Sequence, residues 1–237
     1  YAGPWTPTQA AHLVRRTHFG ASRQDMVSAL VAGSAGAAAS ALVNKAASRP
    51  LPDAPGWAGT ITSDNGLNTL RVYEWQRAWY TEMAAGGLRE KLALLWHDHF
   101  ATGHEVYRHA AFAVEYLTFL REHAVGPFRP LLQGIGTRPA MLRFLDNEQN
   151  EAGNLNENYA REILELFSMG LIAPDGSPNY TQGEIVEAAR ALTGWTIDDA
   201  NVRARFQGSR YDNGLKTIFG RRGRWDHDDL VDLIFEE

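Results

Sequence analysis

Three times along this chain a threonine stands three positions before a glutamine or glutamate: Thr6 with Gln9, Thr102 with Glu105, and Thr181 with Glu184. That spacing is the capping-box signature. The hydroxyl accepts from a backbone N–H of the first helical turn, and the amide or acid reaches back to the cap. Pro7 stands at the first helical position, where its missing N–H is harmless. Ser22 with Asp25 and Asp226 with Asp229 repeat the pattern with shorter acids. Punctuation of this kind directs most of the chain into helices, so the expected fold class is mainly α.

Apolar spacing fills in the elements. It predicts helices over 7–16, 23–33 and 35–47, and another over 67–83 with Trp75 and Trp79 four apart. Further helices are expected over 88–97, from the Thr102 box to the Gly126-Pro127 stop, over 138–145 and 156–169, and from the Thr181 box to Leu192. Thr196 to Phe206 and Lys216 to Phe219 read as short strands about a turn at Asp212-Asn213-Gly214. A last helix begins near His227; its apolar positions Leu230, Leu233 and Ile234 ask for something to pack on. The Pro- and Gly-rich stretch within 49–65 reads as a loop or linker. The expected architecture is a multi-helix globular array with a small β-hairpin region near 195–220. Residues 1–237 form either a single helical domain or the N-terminal part of a longer protein, and the start at Tyr1 rather than Met points to processing.

Composition narrows the function. The formal net charge is -5, and the single basic cluster, Arg221-Arg222-Gly223-Arg224, is short, so nucleic acid is not an expected partner. The chain has no cysteine, which removes disulfides, thiolate zinc sites and cysteine nucleophiles together. No run approaches the roughly 18 apolar residues of a transmembrane helix, and no signal peptide is visible. There is no Gly-x-Ser-x-Gly elbow, phosphate loop, dinucleotide fingerprint or His-Glu-x-x-His helix.

Four motifs in order carry a resemblance: Arg15 to Gly20, Leu88 to Thr102, Asn156 to Phe167, and Ala188 to Trp195, followed by the Lys216 to Gly220 stretch. The chain is similar over nearly its whole length to the bacterial domain-of-unknown-function family 1800. The resemblance implies a mostly helical, usually exported protein that is longer than this chain. It implies no reaction. Where relatives often carry His-Asp before the Lys-Thr segment, this chain has Tyr211-Asp212.

Two clusters are candidates for chemistry. His97 and His99 flank Asp98 at a helix end. On an unbroken helix they point to opposite sides, but if the helix stops at His97 the rings can converge on a divalent metal. The other reading is a buried imidazole beside one that suits the helix dipole. The second cluster is Glu157, Arg161, Glu162 and Glu165. Glu157 and Arg161 are spaced for an ion pair. Glu162 and Glu165 stand side by side, so one carboxyl is raised toward the range of a general acid, or both ligate a hard cation. A solvated, salt-bridged face is the plainer reading. Asp146 to Asn154 is oxygen-rich but lacks the spacing of a calcium loop. Two functions follow. The first is an exported enzyme with a His/carboxylate, metal-assisted site acting on an extracellular polymer. The second is a cell-envelope scaffold or binding module in which the same residues form a polar network. The expected partner is a missing C-terminal part or a second chain.

Overall fold

Thr181 and Glu184 make the reciprocal cap that their spacing calls for, and so do Ser22 with Asp25 and Asp226 with Asp229. The computed structural model describes residues 3–237; the Tyr1 start lies outside them. Among the described residues the chain forms twelve α-helices and two small antiparallel sheets.

Three helices open the chain: α1 (Pro7–Thr17), α2 (Arg23–Val31) and α3 (Ala35–Ser48). Small side chains, Ala10, Ala29 and Ala38 with Val14, let them approach closely. Next come α4 (Asn65–Gly86) and α5 (Leu88–His99), joined through Gly87 at φ 60°, a left-handed conformation that glycine accepts without strain. The short α6 (His104–Tyr107) leads to α7 (Ala110–Glu122), α8 (Phe128–Ile135), α9 (Pro139–Phe144), α10 (Asn158–Glu165) and α11 (Gln182–Ala191). Two hairpins follow, β1 (Trp195–Asp198) with β2 (Arg203–Phe206) and β3 (Lys216–Ile218) with β4 (Arg221–Gly223), and α12 (His227–Glu236) closes the chain. The main core lies among α7 to α12, around Phe112, Leu120, Met141, Ile163 and Leu192.

Several expectations need correction. Thr6 makes no backbone cap, since its hydroxyl turns to the Gln9 side chain. Thr102 caps nothing either: Gly103 occupies the N-cap of α6. The one long helix expected after it is two, because Arg108 adopts φ 60° between α6 and α7. Helix α8 was not foreseen. The turn at Asp212-Asn213-Gly214 does not join strands; each hairpin closes within its own few residues. Leu230, Leu233 and Ile234 are buried, with α12 packed on α8 and α11, so that face finds its partner within the chain.

The 49–65 stretch is a strap fastened along α4. The Trp57 indole N–H donates to Glu74 (2.9 Å), and Arg71 lies 5.3 Å from the Trp57 ring. The Asn68 amide donates to Thr62 O (2.9 Å), and Arg49 pairs with Glu82 (2.8 Å). The oxygen-rich 146–154 loop also turns out to be structural. Asn150 is fully buried, donates to Ala189 O (2.8 Å) and accepts from the Asn156 N–H (3.0 Å), so it ties the start of α10 to the end of α11.

Candidate functional site: an imidazole-lined aromatic cavity

Helix α5 is unbroken to His99, and this decides the fate of its two imidazoles. Residues two apart on such a helix diverge. His99 faces α8 and the end of α10, where Nε2 lies 3.1 Å from Phe167 O and the ring packs against Phe100 (4.5 Å between centroids). His97 points the other way, edge-on to Trp79 (5.7 Å) and Tyr116 (5.9 Å). The early helix end that would let the rings converge does not occur, and the two rings pack against different neighbours. Among the described residues no group of three or more His, Asp or Glu side chains is placed to hold a metal ion.

The four residues of the glutamate helix are half-buried at the protein surface. Glu157 accepts from Arg161 (3.3 Å) and from the Gln182 amide (2.8 Å), while Arg161 also donates to Gln182 (3.2 Å). The three side chains therefore clip α10 to the start of α11. Burial pushes the Glu162 carboxyl up, the neighbouring Glu165 charge pushes the same way, and Arg161 opposes both. Tyr180 stands against this group, its phenol raised first by burial and then by Glu165. None of the four lines the cavity that His97 faces.

That cavity, of about 320 Å³, lies between α4, α5, α6 and α7. Helix α4 supplies Trp75 and Trp79, brought onto one face by their i,i+4 spacing. Helix α5 supplies His97. Helix α6 supplies His104 and Tyr107, whose rings meet edge-on at 5.6 Å, and α7 supplies Tyr116. Tyr116 donates its hydroxyl to Phe100 O and so pins the end of α5 to α7. Thr102 faces both phenols and offsets part of the effect of burial on each, although both remain raised.

Three nitrogen atoms on this lining are buried without a partner: His97 Nδ1, His104 Nε2 and Trp75 Nε1. Buried polar groups are normally paired, because leaving one unpaired costs about 1–3 kcal/mol. Burial also lowers both imidazole pKa values, His97 against the opposing charge of Asp98 and His104 against that of Glu105. Both rings are thus neutral near pH 7 and hold a lone pair that can accept a proton or a hydrogen bond.

The wall is held from behind by buried charge. The Trp79 indole N–H donates to Glu90 Oε2 (3.0 Å), which also accepts from Arg121 Nε (2.9 Å). Arg89 Nε lies 3.5 Å from the other Glu90 oxygen. Sequence reading missed this network and most of the lining. Its legible traces were the Trp75/Trp79 spacing and His97; Thr102 and Glu105 pointed to a cap that does not form.

Fold and site together define a mainly helical protein with an aromatic, imidazole-lined cavity. The chain belongs to the family described as Protein of unknown function (DUF1800), whose profile matches residues 12–237. No curated protein matches it, and no solved structure does. The departure at Tyr211-Asp212 has a structural use in this chain: Asp212 grips Arg190 at 2.7 Å, and Tyr211 donates to Trp225 O at 3.0 Å.

Proposed function

We propose that the cavity between α4 and α7 is a ligand site for one hydroxyl-rich unit of an extracellular polymer, with His97 as its acid–base group. The observation that carries this reading is that three residues lining one aromatic-walled hollow, His97, His104 and Trp75, each hold a buried nitrogen without a partner. Hollows that bind small molecules combine apolar walls with a few placed polar atoms, and begin at roughly 300 Å³. A sugar ring presents a flat apolar face to an indole and hydroxyls to imidazole nitrogens. In this reading the α10 glutamates stand outside the site, and no step passes through a metal. Export, and a longer protein of which this chain is the N-terminal part, belong to the same proposal and rest on the family resemblance.

A non-catalytic envelope module is the second reading. The Glu157–Arg161–Gln182 clip favours it, since those side chains are spent on joining helices.

Fluorescence of Trp75 and Trp79 during titration with neutral mono- and oligosaccharides tests the first reading. Saturable quenching that weakens at least tenfold in His97→Leu, with the fold intact by circular dichroism, is expected. An absence of saturable change with every sugar in the parent protein overturns the proposal and leaves the scaffold.

A further inference from the structure

Behind Trp75 lies a second cleft, of about 620 Å³, between the 50–53 strap and α4. Arg121, which lines it, belongs to a buried group of unequal charge. Arg89, Glu90 and Arg121 are 3%, 0% and 3% exposed, so two guanidiniums face a single carboxylate away from water. Arg89 places its terminal nitrogens on the carbonyls of Arg49 and Pro50, which are dipoles and not charges. Arg121 gives Nε to Glu90, but its Nη2 is buried without a partner. Arg121 lines the cleft with its guanidinium 5.4 Å from the Trp75 ring. Glu82, on the same cleft, is already matched by Arg49 at 2.8 Å.

A buried cation with one unused donor is expensive to maintain unless an anion completes it. We infer that this cleft is a carboxylate-binding site in which Arg121 receives the anion. A carboxylate fits better than a spherical ion, because the guanidinium fork presents parallel N–H donors to two oxygens. The cleft is also far larger than a lone carboxylate needs, and Pro50, Pro52 and Trp75 give it apolar walls. The ligand is therefore an organic acid with an apolar body. The same chemistry has a source in the chain itself: Asp53 lines the cleft and is exposed. The inference stands apart from the imidazole cavity on the other side of Trp75.

Thermal unfolding in acetate and butyrate, each against chloride at equal ionic strength, tests it on the whole chain and on Asp53→Asn and Arg121→Lys. The expected result is a saturable rise in Tm, with butyrate acting at lower concentration than acetate, and an apparent affinity at least tenfold weaker in Arg121→Lys. General salt effects on apolar burial do not saturate in this way. A response in Asp53→Asn but not in the parent chain supports the site and identifies Asp53 as its resident carboxylate. If neither the parent nor Asp53→Asn distinguishes carboxylate from chloride, the inference is overturned. That comparison holds even if Arg121→Lys fails to fold.

Discussion

The α10 surface and the α4–α7 cavity are both dense in titratable groups, but they use them in opposite ways. On α10, Glu157 and Arg161 find each other and Gln182, in contact with water. Around the cavity, His97, His104 and Trp75 each keep a buried nitrogen that nothing satisfies. The first arrangement spends its polar groups on holding two helices together. The second withholds them, at a cost in stability that a hydrogen-bonding occupant would offset. The better pointer to a site is therefore the buried, unpaired atom beside a hollow, and not the number of charges on one helix.

The largest effect expected from testing this contrast is at the cavity's support. Glu90→Leu strands the Arg89 and Arg121 charges in the interior and frees the Trp79 indole, so it lowers unfolding free energy by about 3–5 kcal/mol in urea titrations. An unchanged midpoint would mean that the charges are not buried as described. His97→Leu moves the other way: removing an unsatisfied buried nitrogen raises stability by about 1 kcal/mol while weakening ligand binding.

Dependence on pH separates the two regions by sign. His97 and His104 titrate lower in the folded protein than their ordinary 6.5. The unfolded chain binds their protons first, so their contribution is full above 6.5 and lost as pH falls through the folded values. Glu162 titrates higher than its ordinary 4.5, so its contribution is full below 4.5 and lost as pH rises through the folded value. Unfolding midpoints of His97→Gln and Glu162→Gln, each subtracted from the parent between pH 4 and 8, should bend in opposite directions. Parallel curves would erase the contrast. The smallest effect belongs to the Glu157–Arg161 pair. As an exposed i,i+4 pair it should couple by about 0.3–0.5 kcal/mol in a double-mutant cycle, and a value several times larger would show that the clip is more than a surface pair.

Sequence legibility follows the range of the forces involved. The caps at Ser22, Thr181 and Asp226 were readable because donor and acceptor lie within one turn of each other. The Thr102 box failed for a tertiary reason: the residue faces the two buried phenols of α6 and α7. The single β-hairpin became two, because β1 pairs with β2 and β3 with β4, each across its own short connection and not across the 212–214 turn. The candidate site was legible only in part. His97 was named, but for a metal shared with His99, and that idea required a break in α5 that does not occur.

From its sequence alone, the helical class, most helix starts, the family and the absence of cysteine chemistry were determined, because these rest on local spacing and composition. Only the tertiary structure decided which polar groups are paired with one another and which are buried alone. Glu157 meets Gln182 across 25 residues, whereas His97 meets Trp79 and Tyr116 from two other helices and gains no hydrogen bond at Nδ1. Burial and pairing are properties of packed surfaces, set by contacts between segments that no spacing along the chain encodes.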